Sequence, residues 1–276
     1  MPVIATNTAA NTALRYLNLN SAQESSSVAK LSSGSRITKA SDDAAGLAVG
    51  VRLQSDVTVL QQASTNASHG ASVLQTADGG AARISDILQR MKTLAAQSLS
   101  GAVTDDERTY INAEFAELIS EIDSIAAGTR FNGESLLDGT TDFATGVDFL
   151  LGTDATTDSL TVIIDDIDAT ALGVNASTVD TQANADTAAA AIDAAIDLVL
   201  SARASIGAQM SRFDYRGQMI DTSIENLSAA QSAIMDADVA EEQSTLTTAE
   251  VLTDASISAL SHANDMATRL SRLLQQ

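Results

Sequence analysis

The chain has 276 residues, contains no cysteine or tryptophan, and carries 36 aspartate and glutamate residues against 15 lysine and arginine residues. A formal charge of -21 repels phosphate backbones and anionic lipids, so neither nucleic acid nor a membrane is expected as a partner. The lack of cysteine excludes disulfides, thiolate catalysis and cysteine-ligated metals. The first residues also lack the basic and apolar segments of a cleaved secretory signal, which on its own would indicate a cytoplasmic protein.

A polar break separates the first two helical patterns. Residues 3 to 31 have a weak apolar stripe that includes Leu14, Leu17 and Leu31, and such a helix would be marginal alone in water. Residues 32 to 43 contain Ser-Ser-Gly and then Ser-Asp-Asp, which predicts the end of one helix and the N-cap of the next.

The second helix is predicted from about residue 43 to residue 99. Apolar positions recur at alternating steps of four and three from Val49 to Ala95, and only Asp56 and Gly70 interrupt them. This pattern indicates a coiled-coil-like seam of about seven heptads. Since many seam positions are alanine, the partner helix is expected to lie close.

The middle of the chain predicts a third helix and a loop. Thr104 and Glu107 form the pattern of a capping box at the start of this helix, and Gly128 is its expected C-terminal cap. The loop that follows, TRFNGESLLDG, is expected to turn at Asn132 and Gly133.

A small β-hairpin is predicted within residues 143 to 170. Residues 147 to 152, VDFLLG, and residues 158 to 165, DSLTVIID, are rich in apolar and β-branched side chains, and the polar sequence between them is expected to connect two antiparallel strands.

Two long helices are predicted in the C-terminal part. One begins near Ala185 and repeats the four-three seam as far as Ile234, so it should pack along the second helix. The other runs from about Glu242 to Leu274 and has apolar residues on more than one face, which leaves apolar surface without an evident partner in a monomer. The predicted fold is therefore mainly α, a coiled-coil-like helical rod with a small β-hairpin and paired N- and C-terminal helices.

Stretches near both ends of the chain resemble the two signatures of bacterial flagellin. LSSGSRITKASDDAAGLAV at residues 31–49 matches the N-terminal signature, and SRFDYRGQMIDTSIENLSAAQSAIMDADVAEE at residues 211–242 matches the C-terminal one. LQRMKTLAAQS and TRFNG match between them, so the resemblance covers nearly the whole chain. It implies an inner domain of terminal helices, residues 1–42 and 235–276, and a rod domain, residues 43–234, in a minimal form without outer domains.

The resemblance implies a structural protein, without enzymatic activity or cofactor, that self-assembles into the filament of the bacterial flagellum for swimming motility. Such a subunit is exported unfolded by the flagellar type III apparatus and works outside the cell. The implied partners are further copies of the chain, the flagellar cap, the hook-associated junction proteins and an export chaperone at the C-terminal helix. The residues expected to mediate assembly lie on the terminal helices: Leu14, Leu17, Leu31, Leu252, Ala259, Ala263, Met266, Leu270 and Leu273.

The resemblance also implies a contact site for the vertebrate Toll-like receptor for flagellin. The matching or neighbouring positions are Gln89, Arg90, Leu94, Gln97, Ile111 and Glu114. Met91, Lys92 and Thr93 depart from the RVRELAVQ form of the best receptor ligands, so receptor binding is a hypothesis. The simpler interpretation is that Arg90 and Glu114 pair with each other on a solvated or subunit-facing surface.

Three other interpretations are left open by the sequence. A hook–filament junction protein shares the terminal helices, although ASDDAAGLA lacks the proline that such proteins usually have after the paired aspartates. An enzyme on the same scaffold would need catalytic residues, and His69 and His262 belong to no zinc-peptidase motif. Asp165, Asp166 and Asp168 lack the ligand order of an EF-hand. A soluble coiled-coil binding module would have termini that fold before any assembly.

Overall fold

The computed structural model describes residues 6–273, except for the side chains of Leu270, Ser271 and Leu273. The described part of the chain is mainly α, as predicted, and its contacts form two units, one of Met1–Ser55 with Asn226–Gln276 and one of Asp56–Glu225. In chain order the elements are α1 (Thr8–Ser33), α2 (Ala44–Leu99), α3 (Asp105–Gly128), β1 (Arg130–Phe131), β2 (Glu134–Ser135), α4 (Asp142–Thr145), β3 (Val147–Leu150), β4 (Ser159–Val162), α5 (Gln182–Met235) and α6 (Val239–Leu273).

The ends of the predicted helices shift by a few residues. Within the described residues α1 begins at Thr8, because the Asn7 side chain accepts a hydrogen bond from the N–H of Ala10 at 3.0 Å and acts as its N-cap. α6 begins at Val239 rather than near Glu242. Residues 3–5 and 274, which the helix predictions also included, lie outside the described residues.

The predicted seams of α2 and α5 form the core of the second unit. Every α2 seam residue from Leu60 to Ala95 is buried, and the α5 seam is buried from Ala185 to Ile206. Polar pairs link the two helices in opposite chain order, which makes them antiparallel. These pairs are Lys92 with Asp193, Asp78 with Arg203 (2.8 Å) and Ser64 with Asp221 (3.3 Å).

Gly70 interrupts the apolar seam of α2 for a steric reason. A Cβ atom at this position would lie 2.5 Å from Cε1 and Cζ of Phe213 on α5, which is too close for any side chain. The Phe213 ring is almost fully buried and meets Phe149 of β3 edge to face, with 5.5 Å between ring centroids. Gly70 therefore makes room for the ring that joins the two long helices to the hairpin.

The predicted capping box opens α3. The Thr104 hydroxyl accepts from the Glu107 N–H at 3.4 Å, and the Glu107 carboxylate accepts from the Thr104 N–H at 2.8 Å. The Arg108 guanidinium is buried beside it and donates to the carbonyls of Ser98 (2.9 Å) and Ser100 (3.1 Å), so it ties the start of α3 to the end of α2. At the other end Thr129, rather than Gly128, is the C-cap, because its N–H still reaches a helical carbonyl.

The predicted hairpin is confirmed as β3 and β4, which pair antiparallel with Val147 opposite Val162. Side-chain amides from both long helices hold its backbone. Gln209 of α5 accepts from the N–H of Ile163 at 3.2 Å and donates to its carbonyl at 2.7 Å, while Asn66 of α2 donates to the carbonyl of Leu150 at 3.0 Å.

A second, very short hairpin lies in the loop after α3. β1 and β2 pair antiparallel around the predicted turn, where Asn132 and Gly133 have φ angles of 53° and 89°. Two consecutive positive φ angles fit a type I′ turn, which favours Asn-Gly. The strands escaped prediction because two-residue strands leave no alternating pattern to detect.

The polar break after α1 satisfies the end of α5 in the first unit. Gly34, with φ 70°, ends α1 in the left-handed conformation. The Ser35 hydroxyl and the Arg36 N–H then donate to the Met235 carbonyl at 3.0 and 2.6 Å, and the Arg36 guanidinium donates to the Ile234 carbonyl at 2.6 Å. These polar residues replace the helical partners that the last α5 carbonyls lack.

The start of α2 in the first unit departs from the predicted seam. Val49, expected as its first residue, is half exposed, whereas Gly50 is buried. The Met235 side chain lies where a Cβ of residue 50 would be, at 2.5 Å from Sδ, so the helix turns its glycine rather than its valine inward.

We predict that Gly70→Ala destabilises the second unit by about 1 to 3 kcal/mol, because the buried Phe213 ring must move to admit the new methyl group. Chemical denaturation followed by circular dichroism measures the effect. Gly79→Ala is the matched control, since no atom lies within 4 Å of the added Cβ, and it should stabilise α2 by up to about 1 kcal/mol. Equal effects of the two substitutions would contradict the steric role of Gly70.

We predict that the loop after Gly34 loosens at acid pH through Asp42. Its carboxylate accepts from the Thr38 hydroxyl (3.0 Å) and from the N–H groups of Thr38 (3.1 Å) and Lys39 (3.0 Å), and these bonds, the hydroxyl first, hold the pKa of Asp42 below its ordinary 3.8. A lowered folded-state pKa contributes stability that is complete above the unfolded value and is lost as pH falls through the folded one. Amide exchange at Thr38 and Lys39 should therefore accelerate below about pH 4 beyond the intrinsic pH trend, and Asp42→Asn should remove this pH dependence.

Candidate functional site

The predicted pairing of the terminal helices is confirmed in the first unit, where α1 packs against α6. Hydrogen bonds and an ion pair cross the contact in opposite chain order, so the helices are antiparallel. The Asn7 side chain donates to the Ala263 carbonyl at 3.0 Å, the Asn20 side chain donates to the Ser256 hydroxyl at 3.2 Å, and Lys30 Nζ lies 3.6 Å from Glu242 Oε2.

The inward seam of this pair is strongly polar. The less exposed positions of each helix recur at steps of three and four, as in a coiled coil, yet three of the seven positions on each helix carry polar side chains. On α1 the inward residues are Ala10, Ala13, Leu17, Asn20, Glu24, Ser27 and Leu31, and on α6 they are Glu242, Leu246, Ala249, Thr253, Ser256, Leu260 and Ala263.

The outward faces of α1 and α6 carry larger apolar side chains than the seam. We call this set the outer apolar face. Its members are 45% to 63% exposed in the single chain: Leu14, Tyr16, Leu19 and Val28 on α1, and Val239, Val251, Leu252, Ile257 and Met266 on α6. Large apolar side chains gathered on two paired helices indicate a surface that binds another protein molecule.

The nine residues expected to mediate assembly fall into three groups. Leu14, Leu252, Ala259 and Met266 face outward and are exposed. Leu17 and Leu31 are half-buried and Ala263 is buried, all within the α1–α6 seam. The side chains of Leu270 and Leu273 lie outside the described residues.

The seam predicted for α6 was the more apolar of two adjacent stripes. The structure turns Leu252, Ala259 and Met266 outward and places Thr253 and Leu260 against α1. Apolar periodicity selects the greasier stripe, and a contact with another chain competes for that stripe. Sequence reasoning also missed Tyr16, Leu19, Val239 and Val251, although their occurrence beside the expected stripe on each helix was a usable signal.

The residues matching the receptor motif lie on α2 and α3 of the second unit. Gln89, Arg90, Gln97 and Glu114 are exposed, Ile111 is half-buried, and Leu94 is only 2% exposed. Arg90 Nε and Nη2 donate to Glu114 Oε1 at 2.9 and 2.6 Å, which forms the ion pair that the sequence suggested.

The acidic loop after β4 has one carboxyl group with a displaced titration. Partial burial, with smaller effects from Asp168 and Asp138, raises the pKa of Asp166 above its ordinary value, while hydrogen bonding to the backbone of Asp168 opposes the shift. Among residues 6–273, no group of three or more histidine, cysteine, aspartate or glutamate side chains could hold a metal ion. A search of the same residues finds no helix that is both long and apolar enough to cross a membrane.

Comparison with known proteins places both ends of the chain in one family. The model of the bacterial flagellin N-terminal helical region matches residues 4–142, and that of the bacterial flagellin C-terminal helical region matches residues 189–274. Flagellin FlaB1 of Treponema pallidum (strain Nichols) is 34% identical over 99% of this chain and 100% of its own. Flagellin of Bacillus subtilis (strain 168) is 35% identical over 98% of each chain.

Solved structures agree with this placement. The crystal structure of Bacillus cereus flagellin superimposes with a TM-score of 0.51 at 30% identity and covers 60% of this chain and 94% of its own. A structure from Vibrio parahaemolyticus assigned to a flagellar hook-associated protein has a TM-score of 0.57 over 71% of this chain and 100% of its own, but at 16% identity it shows the fold alone. With relatives of 34% and 35% identity that match nearly the full length, the chain belongs to the bacterial flagellin family.

Proposed function

We propose that this flagellin is a structural subunit that polymerises into the extracellular flagellar filament through the outer apolar face of α1 and α6. The observation that carries the proposal is the inverted polarity of the terminal helix pair, with polar residues on the inward seam and large apolar residues outside. A relative from Treponema phagedenis that is 34% identical over 99% of this chain is named a flagellar filament 33 kDa core protein, which supports the same role.

Burial of the outer apolar face can supply the free energy of polymerisation. Moving one large apolar side chain from water into a packed interface contributes about 1.5 to 3 kcal/mol when burial is complete. The face has members on both helices and is not complementary to itself in any way that would close a dimer, so successive copies would pack head to tail. A contact of this heterologous kind that does not close continues into an open helical polymer.

The proposed route to the filament is export in an unfolded state through the flagellar type III apparatus. A chain without cysteine has no disulfide to form or reduce during such passage. An export chaperone would cover the apolar residues of α6 before assembly, and the cap and junction proteins would contact the subunits at the filament ends. No step of this role requires catalysis.

A role at the hook–filament junction is the alternative. The hook-associated structure from Vibrio parahaemolyticus shares the fold, but the identity is 16%, against 34% to 35% for the flagellins of Treponema pallidum and Bacillus subtilis. The proline expected after the paired aspartates of a junction protein is absent, since alanine follows Asp43. Both observations favour the filament subunit.

A second function, binding of the Toll-like receptor for flagellin, is supported by the exposure of its expected contacts. Arg90 and Gln97 lie one heptad apart on α2, and the ion pair to Glu114 adds α3 to the same surface. Leu94 is buried, so it would contribute by holding the helices together rather than by direct contact.

We predict that Leu252→Asp combined with Met266→Asp abolishes growth on filament seeds. Both side chains are about half exposed in the single chain, and an unpaired carboxylate buried at each contact would raise the monomer concentration needed for growth by well over about tenfold. Sedimentation and negative-stain microscopy of the seeded full-length protein measure this growth. A truncation lacking residues 243–276 should also fail to grow.

The control is Thr247→Asp, which adds the same charge to α6 at an exposed position about 140° around the helix from Leu252. It should still add to seeds. Normal growth of the Leu252→Asp, Met266→Asp variant would remove the outer apolar face from the polymer contact. A wild-type chain that stays monomeric with seeds present would oppose the filament function itself.

We predict that Arg90→Asp combined with Glu114→Lys abolishes activation of a receptor reporter cell while leaving the thermal midpoint nearly unchanged, because the exchange restores an ion pair of reversed direction. The control is Arg83→Asp with Asp86→Lys, which reverses an exposed ion pair on the same helix outside the motif. Undiminished activation by the Arg90→Asp, Glu114→Lys variant would refute receptor binding at this surface.

A further inference from the structure

Three buried side-chain atoms on the α1–α6 seam have no hydrogen-bond partner. They are Ser27 Oγ on α1 and Glu242 Oε1 and Thr253 Oγ1 on α6, and no other buried side-chain nitrogen or oxygen among the described residues lacks one. Ser27 is completely inaccessible to solvent. Buried polar atoms in proteins are rarely left unpaired, so their concentration on one helix contact needs an explanation.

The unpaired Thr253 hydroxyl differs from its neighbours on α6. The hydroxyls of Thr245, Thr247, Thr248 and Ser256 each donate to the carbonyl four residues earlier, at 3.1, 3.0, 2.9 and 2.7 Å. Such a local bond lets a helical hydroxyl enter a contact at little cost. Thr253 makes no such bond and faces α1, so its burial is not compensated within its own helix.

Other polar residues of the seam are used to align the helices. Asn7 donates to Ala263, Asn20 donates to Ser256, and Lys30 pairs with Glu242 through Oε2. Directional bonds at seam positions select one register for a helix pair, at the expense of stability. The seam thus specifies how α1 and α6 meet while providing little driving force for them to meet.

We propose that Ser27 and Thr253 keep the α1–α6 pair weak in the single chain, so that pairing becomes stable only when further copies cover the outer apolar face. The inference rests on the proposed filament function and names residues that regulate it. Burying the two hydroxyls opposes pairing, whereas burying the outer apolar face favours it, and only the polymer contains both contacts. Pairing of the terminal helices is thereby coupled to addition of a subunit.

The test is hydrogen–deuterium exchange of the full-length monomer carrying Ser27→Ala and Thr253→Val. Valine has nearly the shape of threonine and alanine is smaller than serine, so both substitutions fit the seam and remove the unpaired hydroxyls. Amides of residues 8–33 and 239–273 should exchange at least about fivefold more slowly than in the wild-type monomer. Amides of α2 and α3 between residues 60 and 128 should not change.

The matched control is Ser25→Ala with Thr247→Val, which makes the same chemical changes at exposed positions of the same two helices. It reproduces the change in helix propensity but leaves the seam intact, so its monomer should exchange like wild type. Equal protection by the two variants, or no added protection by Ser27→Ala with Thr253→Val, would overturn the proposal.

Seeded growth in parallel separates this inference from the function on which it rests. Wild type and the Ser27→Ala, Thr253→Val variant should both add to filament seeds, because the outer apolar face is unchanged in both. Growth of both chains without a difference in monomer exchange would overturn the role of the seam alone. No growth by wild type would overturn the proposed function.

Discussion

The close antiparallel packing of α2 against α5 is the interaction on which the rest of the second unit depends. Alanine at many seam positions lets the two backbones approach, and the larger side chains fill the remaining space without voids. The contact between Gly70 and Phe213 shows how far this fitting goes, because one helix gives up a side chain so that the other can insert a ring. The hairpin and α3 are then held by residues of these helices.

The first unit is built from helices of comparable regularity but with a different balance of forces. The α1–α6 seam keeps the spacing of a coiled coil, while much of its apolar content has moved to the outside. One chain therefore contains a unit whose core is complete and a unit whose best apolar surface faces outward. This division matches a subunit that must be stable as a single molecule in one part and responsive to its neighbours in the other.

Much of the fold could be predicted from the sequence, because long four-three repeats, the Thr104 capping box and the Asn132-Gly133 turn are local signals. The seam from Leu60 to Ala95 was correct at every position, since its only partners lie in the same chain. The α6 seam and the burial of Leu94 were not predictable in this way. Periodicity finds apolar stripes, but it does not say whether a stripe belongs to the chain's own core or to another molecule. The assignment of particular residues to assembly and to receptor binding stays a prediction.

The side-chain amides of Gln209 and Asn66 have a consequence for a protein that works at very high local concentration. A two-stranded sheet exposes backbone N–H and C=O groups along its edges, and these groups can pair with a strand of another molecule and start a disordered aggregate. Gln209 occupies both backbone groups of Ile163, and Asn66 occupies the carbonyl of Leu150. The hairpin is thus less open to unwanted strand pairing, which leaves helix contacts as the way for copies of this chain to associate in order.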